Sequence, residues 1–135
     1  MAVSDFVKIA VITSDIGGGT GNHLLSMLKH WDKEFWRATV FSSAPGYDRV
    51  VPDVPIRYLS PSRYFQFYPV AQVRYFTLLN NMFRNHLPDI VHTYFFWSII
   101  YGRLLKLAGK TKILVENRED QGFGWGKHEY IWLRM

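Results

Sequence analysis

Apolar positions follow two rhythms that alternate along the chain. Val7-Lys8-Ile9-Ala10-Val11-Ile12-Thr13 is β-rich and almost continuously apolar, as expected of a strand covered on both faces. The stretch Ser14-Asp15-Ile16-Gly17-Gly18-Gly19-Thr20-Gly21-Asn22 reads as a loop, and His23 to Trp31 as a helix with Leu24, Met27, Leu28 and Trp31 on one face. Trp36 to Phe41 predicts a second strand and Ser42 to Asp53, with Pro45, Gly46 and Pro52, a loop. A short third strand, Pro55 to Leu59, leads into an aromatic loop over 61–68. Pro69 suits the first position of a helix because its missing N–H would have no partner there; that helix carries Val73, Phe76, Leu79 and Phe83 inward and ends by Leu87-Pro88. Asp89 to Phe96 predicts a fourth strand, Ser98 to Ala108 a helix with Ile100, Leu104 and Leu107 inward, and Thr111 to Glu116 a fifth strand. Gly109 fits the position just past that helix. This alternation predicts an α/β fold, a parallel sheet with helices on both faces.

Composition narrows the class. With 135 residues, 48% hydrophobic and 20% charged, the chain is one domain at most and folds around a real core. Cysteine is absent, which excludes disulfides, thiolate metal sites and cysteine nucleophiles and suits a cytoplasmic setting. The N-terminus lacks the basic and cleavable apolar regions of a leader, and the most apolar window, Tyr94 to Tyr101, is too short to span a bilayer. The expectation is a soluble protein, or one peripheral at the inner face of the membrane.

The net charge of +5 is unevenly spread. Between Val54 and Val115 the basic residues are Arg57, Arg63, Arg74, Arg84, Arg103, Lys106, Lys110 and Lys112, against the single acid Asp89. Tyr58, Tyr64, Phe65, Phe67 and Tyr68 share the first part of this region. Arginines beside aromatics suit an anionic lipid headgroup or membrane interface, for which Arg57, Arg63 and Arg74 are the candidates; single-stranded nucleic acid ranks below, since no nucleic-acid motif appears. The plainer alternative is a solvated basic face whose aromatics belong to the core.

The glycines after the first strand admit close approach of a ligand, and the helix beyond offers N–H groups to an anion. Neither common phosphate motif fits. A dinucleotide fingerprint needs its third glycine where Asn22 or Leu24 stands, and a P-loop needs Lys followed by Ser or Thr where Asn22 and His23 stand. A tight turn without ligand is the competing reading. In an open parallel sheet, ligands bind beyond the carboxyl ends of the strands where strand order reverses. With the order 3-2-1-4-5, the glycine loop, the end of the His92 strand and Glu116 to Arg118 line one cleft, which Asp15 and Tyr94 share. His92 can serve there as a hydrogen-bonding group or base, Arg118 can hold a phosphate or carboxylate, and Glu116 can position either. Against these stand a core histidine and a Glu116–Arg118 pair. His23, His30, His86 and His128 are not at metal spacings, and no Ser-His-Asp arrangement can be argued.

Three stretches together resemble a known family. Gly18-Gly19-Thr20-Gly21-Asn22-His23-Leu24-Leu25-Ser26-Met27-Leu28, then Pro88-Asp89-Ile90-Val91-His92-Thr93-Tyr94-Phe95-Phe96 with Gly102-Arg103-Leu104, then Val115-Glu116-Asn117-Arg118-Glu119, are similar to the N-terminal domain of glycosyltransferase family 4, the retaining GT-B enzymes. The resemblance spans nearly the whole chain and implies a Rossmann-like acceptor-side domain over 1–135, incomplete at its C-terminal end. It also implies a second, nucleotide-sugar domain that this chain lacks, so that the fragment is inactive alone. The implied reaction moves a sugar from a nucleotide-diphosphate donor to a cell-envelope glycan or lipid-linked acceptor, with no required metal or other cofactor. Gly17, Gly18, Gly19 and Thr20 would face the donor diphosphate, and His92 would approach the transferred sugar as the catalytic group. The sequence departs from the family in having Gly21 where an acidic residue is common. A non-catalytic α/β module binding an anionic glycan, lipid headgroup or partner protein is the alternative.

Overall fold

The computed structural model describes residues 6–14, 16–43, 53–59 and 69–117. The elements, in chain order, are β1 (Val7–Thr13), α1 (Gly18–His30), β2 (Trp36–Ser42), β3 (Ile56–Tyr58), α2 (Pro69–Met82), β4 (Ile90–Tyr94), α3 (Phe96–Leu107) and β5 (Ile113–Asn117). They form a parallel five-stranded sheet of order β3-β2-β1-β4-β5 with helices on both faces, a Rossmann-like α/β fold.

Alternation along β1 divides the core. Ile9 and Val11, with Ala38, Val40 and Tyr94, meet Leu24, Leu25 and Leu28 of α1 on one face. Ala10 and Ile12, with Phe41 and Val91, meet Tyr75 and Leu79 of α2, Phe83 just beyond it, and Tyr101 and Leu105 of α3 on the other. Each large apolar side chain so buried contributes about 2 kcal/mol. The Tyr101 hydroxyl donates to Gln72 Oε1, so α2 and α3 are also joined by a buried polar contact. At the amino edge of the sheet, Asp89 N–H donates to the Lys8 carbonyl, while Asp89 Oδ2 accepts the Lys8 N–H at 2.8 Å. Asp89 therefore fixes the start of β4 against β1.

Four sequence expectations shift. Helix α1 begins at Gly18, so the glycines at 18, 19 and 21 belong to its first turns and the connection from β1 is only 14–17. In α2 the inward positions are Gln72, Tyr75 and Leu79, while Val73 is 68% exposed. In α3, Ser98, Ile99, Tyr101, Gly102 and Leu105 are buried, while Leu104 and Leu107 face out at 43% and 84% exposure. Small residues set that phase: a Cβ on Gly102 would lie 2.6 Å from Thr93 Cγ2 and 2.8 Å from Leu114 Cδ1, so the helix rests on β4 and β5 at its glycine. Finally, β4 stops at Tyr94, because Phe95 takes φ 74° and turns the chain into α3. Residues 44–52 of the loop expected over Ser42 to Asp53, and the whole loop expected over 61–68, lie outside the described residues.

Gly21 has no tolerance for a side chain, since a Cβ there would stand 1.9 Å from the Ile16 carbonyl oxygen. Backbone cannot yield as side chains can. Gly21→Ala should therefore destabilise the 135-residue chain by about 3 kcal/mol or more, and Gly102→Ala by about 1–3 kcal/mol, read as midpoint shifts in urea denaturation.

Candidate functional site at the carboxyl edge of the sheet

Strand order reverses at β1, whose neighbours β2 and β4 lead away in opposite directions. The connections leaving β1 and β4 consequently lie side by side at the carboxyl edge, and each runs straight into a helix. Gly17 precedes α1 with φ −83° and ψ 171°, and Phe95 precedes α3. Neither helix has a side-chain cap, and neither has an acidic residue in its first turn. Two positive helix ends thus share one edge of the sheet with no side-chain cap hydrogen bond and no first-turn acid, an arrangement that favours a bound anion.

Phe95 is the strained member of this edge. With φ 74° and ψ 159° it occupies a region that glycine tolerates and a phenylalanine adopts at a cost of about 1–3 kcal/mol. Its ring packs against the α1-side core, which holds the turn in place. Nothing in the residue type signals this conformation, which ends the strand that the apolar pattern continues to Phe96.

His92 lies in register with Val11 of β1 and Val115 of β5, pointing to the α1 side of the sheet. It is half-buried, and burial lowers its pKa below the ordinary 6.5, so the imidazole is neutral at pH 7. Tyr94 is two residues nearer the edge on the same face, about 7 Å along the strand, and its ring centroid is 4.7 Å from that of His92. Tyr94 itself is buried in the α1-side core. Val115 and Ile113 beyond His92 are exposed, so the α1 side of β5 is uncovered among the described residues.

Glu116 is held by a residue of α3, while the expected Glu116–Arg118 pair lies outside the described residues. Arg103 Nε donates to Glu116 Oε1 at 2.6 Å and Arg103 Nη2 donates to Oε2 at 3.0 Å, a two-pronged pair between α3 and β5. The hydrogen bond to Glu116 raises the Arg103 pKa further, against the opposing effect of burial. Arginine in Gly102-Arg103-Leu104 and glutamate in Val115-Glu116-Asn117 are thus one structural feature. Of the other candidates, Gly18, Gly19 and Thr20 form the first turn of α1, and Arg57 and Arg74 are exposed on β3 and α2. Asp15, Arg63 and Arg118 lie outside the described residues.

A family model described as "Glycosyl transferase 4-like domain" matches residues 18–135. The chain belongs to this glycosyl transferase 4-like family. A search of curated proteins finds no match. The match takes in both uncapped helix starts, His92 and the Arg103–Glu116 pair. Among the described residues of this glycosyltransferase family member, no three His, Asp or Glu side chains are grouped to hold a metal ion, and no helix is long and apolar enough to cross a membrane.

The His92 environment carries a pH signature. Because the folded chain binds this proton more weakly than the unfolded chain, the stability is fully present above about pH 6.5 and is lost as pH falls toward the lower folded-state value. The melting temperature should drop more between about pH 7.5 and pH 5 for the native chain than for His92→Gln. Equal drops would assign the acid sensitivity to other groups.

Proposed function

We propose that the chain is the acceptor-side domain of a retaining GT-B glycosyltransferase, moving a sugar from a nucleotide-diphosphate donor to a cell-envelope glycan or lipid-linked acceptor. The observation that carries this reading is the pair of uncapped helix starts, α1 and α3, meeting at the strand-order reversal in a chain of the glycosyl transferase 4-like family.

When the bond between the anomeric carbon and the diphosphate oxygen breaks, negative charge grows on the departing diphosphate. A helix N-terminus aimed at that oxygen stabilises the charge without needing a metal. Gly17, Gly18, Gly19 and Thr20 are assigned this role, with no further cofactor. His92, neutral at pH 7, suits a hydrogen bond to a hydroxyl of the transferred sugar. Tyr94 and Glu116, the latter held in place by Arg103, are assigned to the acceptor side of the cleft together with Asp15 and Arg118. In this reading a C-terminal nucleotide-sugar domain completes the cleft, and the 135-residue chain is inactive alone. The exposed Arg57 and Arg74, with Arg63, would meet an anionic acceptor or the inner face of the membrane.

Two experiments test this. The reading frame beyond codon 135 is sequenced, and its full product is assayed beside the 135-residue chain for transfer from UDP- and GDP-sugars. Turnover by the long form alone, reduced about a hundredfold or more in His92→Ala, supports the assignment; transfer insensitive to His92→Ala removes it. Separately, replacing Arg57, Arg63 and Arg74 with Gln should weaken binding to phosphatidylglycerol liposomes by about 1 kcal/mol per charge, and unchanged binding would dismiss the membrane role.

A further inference from the structure

A cleft lies at the end of the sheet opposite the helix starts. It has a volume of about 680 Å³, within the usual range of small-ligand sites, and sits on the α2 side where β1 and β2 begin. Lys8, Arg37 and Arg57 line it from three neighbouring strands, with His86 facing them from the segment after α2. No acidic residue is among the described residues that line it. Lys8 and Arg37 are direct partners in the β1–β2 register and lie on the same face, so two like charges stand side by side on adjacent strands. That pairing is destabilising unless an anion offsets it. Asp89, beside Lys8 at the start of β4, has its carboxylate Oδ2 engaged by the Lys8 backbone N–H. The Arg37 guanidinium is seated 5.2 Å from the Phe6 ring centroid, which fixes its direction without neutralising it.

The rest of the lining qualifies the ligand. Asn81 and Asn85 supply carboxamides beside the cations, while Phe41, Met82, Phe83 and Pro88 form an apolar wall. The geometry points to a second binding site here, for a phosphate monoester that carries an apolar substituent. The phosphate meets Lys8 and Arg37, and the substituent lies against Phe41 and Phe83. This site shares Arg57 with the basic surface of β3 and α2 but does not depend on the transferase reading, since Lys8 and Arg37 lie at the opposite edge.

Calorimetric titration of the 135-residue chain with octyl phosphate, kept below its micelle concentration, tests the inference. Inorganic phosphate and octyl glucoside serve as probes of the charged and apolar halves. One saturable site is expected for octyl phosphate, at least tenfold tighter than for either partial probe. Lys8→Gln combined with Arg37→Gln should weaken it at least tenfold, while Arg84→Gln, which changes an exposed cation outside the cleft, leaves it unaltered. Because Lys8 and Arg37 are exposed, these variants should keep the native circular dichroism spectrum, and Arg37→Gln alone should show a smaller drop in the same direction. Absence of saturable binding, or equal weakening in Arg84→Gln, overturns the site. Inorganic phosphate binding as tightly as octyl phosphate overturns the amphiphilic ligand in favour of a free anion, and octyl glucoside binding as tightly overturns the role of the cations.

Discussion

Everything in this fold depends on the central position of β1. Its backbone pairs with β2 on one side and β4 on the other, and both pairings are parallel. Parallel neighbours demand crossover connections, and a right-handed crossover leaving in opposite directions lands on opposite faces of the sheet. That one constraint sends α1 to one face and α2 and α3 to the other. It also leaves the starts of α1 and α3 side by side at the carboxyl edge, without any side chain having to specify it.

Close backbone approach then converts topology into a site. Gly21 lets the first turns of α1 lie against the Ile16 carbonyl, and Gly102 lets α3 rest directly on β4 and β5. Both helices are thereby held near the sheet with their N-terminal ends at its rim. The strained turn at Phe95 belongs to the same arrangement, since it redirects the chain from β4 into α3 within a single residue. Its cost is met by the ring's packing and by the buried side of α3. The Arg103–Glu116 pair adds a polar tie between α3 and β5 close to the same rim, with both side chains largely withdrawn from water. Such a pair fixes relative position more than it adds stability, because desolvation offsets much of the attraction.

The sheet is electrostatically lopsided. Its carboxyl rim presents helix dipoles, while its amino end on the α2 side presents full charges from Lys8 and Arg37. The two ends therefore suit anions by different means. A rim built from backbone dipoles suits charge that develops during a reaction, since the dipoles are already oriented. A cluster of flexible cations suits a ligand that arrives already charged.

How much of this was legible in the sequence depended on how far each feature is local. The strands, their order and the α/β class were legible, because a continuous apolar run such as Val7 to Thr13 is stable only when covered on both faces, and alternation with helical segments leaves few topologies. The family likeness followed from the same stretches. The inward faces of α2 and α3 were not legible, since which of two adjacent stripes turns inward was decided by contact with the sheet, at Gly102 in α3, and not by hydrophobicity; Leu104 and Leu107 are as apolar as Leu105 yet face out. The extent of α1 was misread because glycines signal a loop by propensity, while in the fold they occupy a helix start pressed against backbone. Of the site residues, His92 and Tyr94 could be placed by alternation and register alone. The partner of Glu116, the strain at Phe95 and the pairing of Lys8 with Arg37 belong to tertiary structure, because each is a relation between chain segments that only the packed sheet brings within reach.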